Sequence, residues 1–291
     1  MLRGSITALI TPMLNGAVDE KAFSSFVDWQ IAEGTHGLVP VGTTGESPTV
    51  THAEHQRVVE ICVEVANKRV PVVAGAGSNS TDEAVSLARF AEATGADAVL
   101  SVVPYYNKPN QEGLFQHFSA VAGAIGIPVI LYSVPSRTTV DLTVDTIARL
   151  REAHANIIGV KDATGSFERA AMQRAKLGED FILLSGDDSS ALGFNAHGGR
   201  GCISVSANVA PRLCSQMQEL SLAGDFKSAL AINDKLAYLH KDLFIEPSPA
   251  PAKYAANRLN LCANEMRLPI CPISKPAQEA MDFAMAHAGL I

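Results

Sequence analysis

Several features that would assign many chains to a class are missing. Lys and Arg form no block able to neutralise successive phosphates, and the net charge of -7 is spread along the 291 residues, so nucleic acid is not expected as a partner. The five cysteines (Cys62, Cys202, Cys214, Cys262 and Cys271) are odd in number and lack C-x-x-C spacing, which points to reduced, mostly buried thiols. No apolar run approaches the ~20 residues that span a bilayer, and no basic, apolar and small-residue cleavage pattern opens the sequence, so no membrane association is expected and the cytoplasm is the expected location. His52 and His55 have no third ligand at a recognised spacing, and no metal is expected.

What is present is apolar and periodic. Hydrophobic residues at 47% and charged residues at 18% are ordinary for a globular chain and leave no room for disorder as a dominant feature. Eight short apolar runs stand out: Ser5 to Thr11, Gly37 to Val41, Val70 to Ala74, Ala98 to Val103, Pro128 to Val134, Ile157 to Lys161, Phe181 to Ser185 and Gly201 to Val205. They lack strict alternation, the pattern of parallel strands buried on both faces. Between them, Asp19 to Glu33, Ala53 to Asn67, Asp82 to Thr94, Glu112 to Ala124 and Val144 to Glu152 carry apolar residues at helical spacing. The alternation predicts an α/β fold, a (β/α)₈ TIM barrel over residues 1–224, with no G-x-G-x-x-G turn to favour the competing doubly wound sheet. Residues 225–291 read as a C-terminal helical appendage, with helices over Asp225 to His240, Pro251 to Leu259 and Pro276 to Ala288 and an ordered loop over Glu246 to Lys253.

Barrels of this kind carry their reactive groups at the C-terminal ends of strands. Lys161 ends the run Ile157-Ile-Gly-Val-Lys161. A ketone needs a neutral amine, and an apolar barrel mouth disfavours the charged form, so a Schiff-base lysine is one reading. A lysine paired with Asp162, or snorkelling to solvent, is the other. Thr43 and Thr44 lie in Gly42-Thr-Thr-Gly-Glu46, a turn that either approaches a small carboxylate closely or simply caps the next helix. Tyr132 closes the fifth strand in Pro128-Val-Ile-Leu-Tyr132 and Arg137 follows it; a phenol can relay protons and a guanidinium fork can hold a carboxylate, or they are a core tyrosine and a surface arginine.

Gly42-Thr-Thr-Gly-Glu46, Pro104-Tyr-Tyr-Asn107, Tyr132-Ser-Val-Pro-Ser-Arg-Thr138, Gly159-Val-Lys-Asp-Ala-Thr-Gly165 and Leu184-Ser-Gly-Asp-Asp188 together resemble the dihydrodipicolinate synthase family of class I pyruvate aldolases. The likeness runs from Gly4 to Pro272. It implies an enzyme without cofactor, in which Lys161 forms an imine with pyruvate and the derived enamine attacks L-aspartate 4-semialdehyde. It further implies that Tyr132 moves protons through Thr43 to Tyr106 of a neighbouring subunit, and that the chain forms a homotetramer. Thr44, Ile203 and Gly186 then contact substrate, and Arg137 holds the semialdehyde carboxylate. Arg137 favours this reaction over a sugar-acid lyase, and retention of the whole catalytic set argues against a non-catalytic lysine-binding barrel.

The resemblance also implies that Ser47, His52, His55, Asn79, Glu83 and Tyr105 form a pocket for lysine as a feedback inhibitor. Ser80-Thr-Asp-Glu83 alternatively reads as a capping box, which gives Glu83 a structural job. Ser133, Thr139, Val103 and Pro48 depart from the family pattern; Ser133 and Thr139 adjoin the loop of Arg137.

Overall fold

The computed structural model describes residues 2–291. After β1 (Gly4–Ala8) and a small hairpin, β2 (Met13–Leu14) and β3 (Ala17–Val18), helix and strand alternate. The order is α1 (Glu20–Ala32), β4 (Gly37–Val39), α2 (His52–Ala66), β5 (Val73–Gly75), α3 (Thr81–Thr94), β6 (Ala98–Val102), α4 (Gln111–Gly123) and β7 (Val129–Ser133). A single turn, α5 (Pro135–Thr138), precedes α6 (Val144–Ala153), β8 (Ile157–Asp162), α7 (Phe167–Leu177), β9 (Ile182–Ser185), α8 (Ala191–Ala196) and β10 (Gly201–Ser204). Then follow α9 (Pro211–Leu222), α10 (Phe226–Asp242), α11 (Ala250–Arg258) and α12 (Lys275–His287).

Eight parallel strands lie in the order β4, β1, β10, β9, β8, β7, β6, β5. The two ends meet: Leu38 bridges Val72, and Leu38 N–H and Gly75 N–H donate to Pro71 O and Pro40 O at 3.0 Å each. The sheet therefore closes as a barrel ringed by helices, as the alternation predicted.

The absence of polar alternation has a direct cause. Ile6, Val39, Val73, Leu100, Ile130, Leu184 and Ile203 point inward and form one buried cluster. Their strand neighbours Leu38, Val72, Val99, Val129, Leu131, Leu183 and Cys202 point outward and join a second, larger cluster under the helices. Both strand faces are apolar because both are covered.

The strand limits shift by a few residues. The run Ser5 to Thr11 is a strand only to Ala8; beyond it Ile10 N–H donates to the Asn208 side chain at 2.9 Å instead of to a neighbouring strand. The strand expected over Val70 to Ala74 starts at Val73, after Pro71, which has no N–H to give to a ladder. The helices expected after Gly224 form, and α10 packs between α9 and α12. Leu236, Leu239, Ala252 and Met281 share the outer core with the barrel. Ser248 and Lys253 are buried, so the Pro-rich stretch is ordered and passes directly into α11. All five cysteines are free; four are buried and Cys271 is exposed. No described helix is long and apolar enough to cross a membrane.

Candidate active site and a second pocket

Strand alternation sends Lys161 and Asp162 to opposite faces of β8. In β8, Lys161 faces the barrel interior and is 6% exposed, while Asp162 faces the helices. The Asp162 carboxylate accepts from Thr164 N–H at 2.9 Å, Thr164 Oγ1 at 2.6 Å, Arg169 Nε at 2.7 Å and Gln173 Nε2 at 2.7 Å. A Lys161–Asp162 pair is thereby ruled out. Lys161 stands beside Tyr132 in the β7–β8 register, and its Nζ lies 4.2 Å from the centre of the Tyr132 ring. Gly186 leaves room for the lysine stem: a Cβ there would fall 2.9 Å from Lys161 Cε and 2.8 Å from Ala163 Cβ.

Thr43 and Thr44 sit on a wound turn after β4. Gly45 N–H donates to Gly42 O at 3.0 Å and Glu46 N–H to Thr43 O at 3.2 Å. Val41 and Glu46 take φ values of 46° and 58°, left-handed geometry that is costly for a β-branched valine and typical of functional turns. Neighbouring structure over-determines the turn. Gly75 lets Val41 approach, since a Cβ there would lie 2.4 Å from Val41 O. Glu46 is buried and ion-paired with the fully buried Lys253 of α11, and it also accepts Arg267 N–H at 3.0 Å.

Thr43, Thr44, Tyr132, Arg137, Lys161 and Gly186 line one cavity of about 210 Å³ at the C-terminal mouth of the barrel. Its size suits a small acid; pockets for drug-sized ligands run to roughly 300–1,000 Å³. An amine nucleophile, a phenol against it and a guanidinium at the rim are the parts needed to form an imine, move a proton and hold a carboxylate. Ile203 lies in the interior cluster with 1% exposure, and Val205, two residues on, reaches the cavity. Tyr106 is not brought there: it is 89% exposed with φ 72°, and no hydrogen bond joins it to Thr43 or Tyr132 within the chain.

The profile of the dihydrodipicolinate synthetase family matches residues 1–288. The chain belongs to this family. A 4-hydroxy-tetrahydrodipicolinate synthase of Parvibaculum lavamentivorans is 61% identical over the full length of both chains. The chloride-inhibited dihydrodipicolinate synthase of Acinetobacter baumannii, solved with pyruvate, is 45% identical with a TM-score of 0.98 over all of both chains. The Cyanidioschyzon merolae enzyme, solved with lysine bound, is 36% identical with a TM-score of 0.96, covering 99% of each chain. As a member of the dihydrodipicolinate synthetase family, the chain is a lyase, a class I aldolase that condenses pyruvate with L-aspartate 4-semialdehyde in diaminopimelate and lysine biosynthesis.

Several lining residues escaped the motif reading. Asp187 lies inside the Leu184 to Asp188 motif and was within reach of it, whereas Phe244 and Ser248 come from the C-terminal helical region and carry no local signal. Asp187 is held at the rim by Ser190, whose N–H and Oγ donate to its Oδ2 at 2.9 and 2.5 Å.

Ser47, His52, His55, Glu83 and Tyr105 line a second cavity of about 270 Å³, walled by Pro48, Val50 and Leu87. Asn79 stands beside it and donates from Nδ2 to Tyr105 O at 3.2 Å. The capping-box reading of Glu83 is wrong: Ser80 makes no side-chain cap, and Glu83 instead pairs with His52 Nε2 at 2.8 Å and accepts the Ser78 hydroxyl. The capping box belongs to α2, between Thr51 and Glu54. Burial pushes His55 down to about 4, and burial followed by the Glu83 charge raises Tyr105. Among the described residues no three His, Cys, Asp or Glu side chains cluster as metal ligands.

Proposed function

We propose that Lys161 is the amine that performs the family reaction in this chain. It adds to the ketone of pyruvate and water leaves; loss of a methyl proton from the imine gives an enamine, whose carbon attacks the aldehyde. The amino group of the semialdehyde then adds to the imine carbon, closing the ring and releasing Lys161. The carrying observation is the placement of Lys161, buried, turned away from Asp162 and over the Tyr132 ring at 4.2 Å. Tyr132 is the proton donor and acceptor, and Thr43 links it onward. Thr44, Ile203 and Gly186 shape the pyruvate end, and Arg137 takes the semialdehyde carboxylate. Borohydride reduction with pyruvate, followed by intact mass, tests this: wild type gains one reduced pyruvyl adduct and Lys161→Ala gains none. An adduct that persists in the variant removes Lys161 from the role.

The exposure of Tyr106 supports a site completed by a second copy, with Tyr106 of a neighbour joining Thr43, and a tetramer built from such pairs. Residues 1–224 act as the catalytic barrel and residues 225–291 as a helical region that closes one wall through Phe244 and Ser248. The enzyme works in the cytoplasm on soluble substrates, without nucleic acid or membrane partners.

The second cavity supports feedback by lysine, a ligand found bound to the Cyanidioschyzon merolae relative. Glu83 takes an ammonium, with His52 and His55 as walls, and Asn79, Ser47 and Tyr105 supply polar contacts. Titration with L-lysine tests this reading: active enzyme indifferent to millimolar lysine sinks it.

A further inference from the structure

We propose that Arg169 is a positioning residue for Arg137, and through it for recognition of the second substrate. Arg137 sits on α5, a helix of a single turn, and that turn ends at Thr139 with φ 58°, a conformation a β-branched residue adopts only when its surroundings impose it. Thr139 N–H to Pro135 O at 2.8 Å ties the turn only to itself. The fixed point lies just beyond.

Arg169, at the start of α7, reaches across to this loop. Its Nη1 donates to Asp141 Oδ2 at 2.8 Å, its Nη2 to Leu142 O, and its Nε to Asp162 Oδ2 at 2.7 Å. Asp141 also faces the Ser133 hydroxyl at 3.4 Å. One guanidinium therefore joins the loop that carries Arg137 to the residue after Lys161, and Ser133 brings in the residue after Tyr132. The Arg169 side chain is 13% exposed and Asp162 only 1%, so the barrel end of the clamp is rigid. The loop end is the adjustable one, since Asp141 is 44% exposed. The guanidinium carries its donors on three separate nitrogens and so spans three separated acceptors; an ammonium has its three donors on one atom and cannot reach all of them.

The inference rests on the reading that Arg137 binds the semialdehyde carboxylate, so Arg137→Ala is measured beside the clamp variants. The full-length enzyme is assayed for KM of each substrate and for the rate of borohydride-trapped pyruvyl adduct. Arg169→Lys keeps the charge beside Asp162 but cannot span the loop. Asp141→Asn weakens only the loop end at a half-exposed position and carries the test alone if Arg169→Lys does not fold. Both should raise KM for aspartate semialdehyde at least about tenfold, within the range that a 1 Å misplacement costs, while pyruvate KM and the trapping rate stay within about twofold. Were Arg137→Ala to raise that KM and both clamp variants to leave it unchanged, the clamp proposal would be wrong and the Arg137 reading would stand. If Arg137→Ala changes nothing, the Arg137 reading falls and takes the proposal with it. An equal loss in the pyruvate half-reaction would also overturn it, because the clamp would then be general support for the barrel.

Discussion

Lys253 in α11 is fully buried, and its ammonium is held between the Glu46 carboxylate and Glu265 O, the latter at 2.7 Å. Burial pushes the Lys253 pKa down, and the Glu46 charge opposes that shift. The pair joins the C-terminal helices to the turn that presents Thr43 and Thr44, and the same turn supplies Ser47 and Pro48 to the second cavity. The barrel mouth is thus anchored from the region that follows it in sequence.

Lys253→Met should be among the most destabilising single changes. It leaves Glu46 buried without its cation, a situation that costs about 3–5 kcal/mol, and adding Glu46→Gln should recover part of the loss. Urea midpoints for the two single variants and the double variant measure the coupling. Additive effects would mean the pair contributes nothing as a pair.

Tyr132→Phe separates the ring from its hydroxyl. The ring that Lys161 Nζ overlies at 4.2 Å is retained, so the lysine should keep its place. Loss of the proton relay should lower kcat by roughly 10²- to 10⁴-fold. The borohydride-trapped adduct should reach the same final mass more slowly. A variant with near wild-type kcat would move the proton-transfer role to another group.

The barrel was legible because its cause is local: a strand apolar on both faces announces that both faces are covered. The places of Lys161, Tyr132, Thr43, Thr44 and Arg137 at strand ends followed from the same logic. What stayed hidden depends on distant residues. Nothing near Lys161 says that Asp162 turns outward to Arg169, although the period-two rule implies opposite faces once β8 is accepted. Ser80 and Glu83 have capping-box spacing, yet Glu83 finds better partners in Ser78 and in His52 from another helix. Phe244 and Ser248 reach the cavity from the segment between α10 and α11, far from the barrel strands in sequence. The hairpin from Met13 to Val18 was missed because strands of two residues carry too little pattern to read.

Gly186→Ala tests how tightly the lysine stem is seated. The new methyl would fall 2.9 Å from Lys161 Cε and 2.8 Å from Ala163 Cβ, so the amine must shift to make room. Sub-ångström displacement of a nucleophile is enough to slow attack by an order of magnitude or more. The pyruvate trapping rate should fall at least about tenfold in protein whose urea transition shows that it still folds, the overpacking against Ala163 itself costing about 1–3 kcal/mol. An unchanged trapping rate would mean that the stem has slack and that Gly186 serves the backbone alone.

Acid should weaken the fold in a defined window. Burial pushes His55 and His117 down to about 4, below the ordinary unfolded value near 6.5. The unfolded chain therefore binds these protons first as pH falls. Their contribution is fully present above about pH 6.5, is lost as pH drops towards 4, and is constant below that; each is worth on the order of 1–3 kcal/mol. Glu54, held at about 2 by Arg267, acts in a lower window, between its ordinary value of 4.5 and 2. Urea midpoints at pH 7.5 and 5.0 should differ, and His117→Gln should remove part of the difference because its uncharged amide has nothing to titrate. If wild type and His117→Gln lose the same stability across that window, His117 is protonated in the fold as readily as out of it, and its burial does not act on its charge.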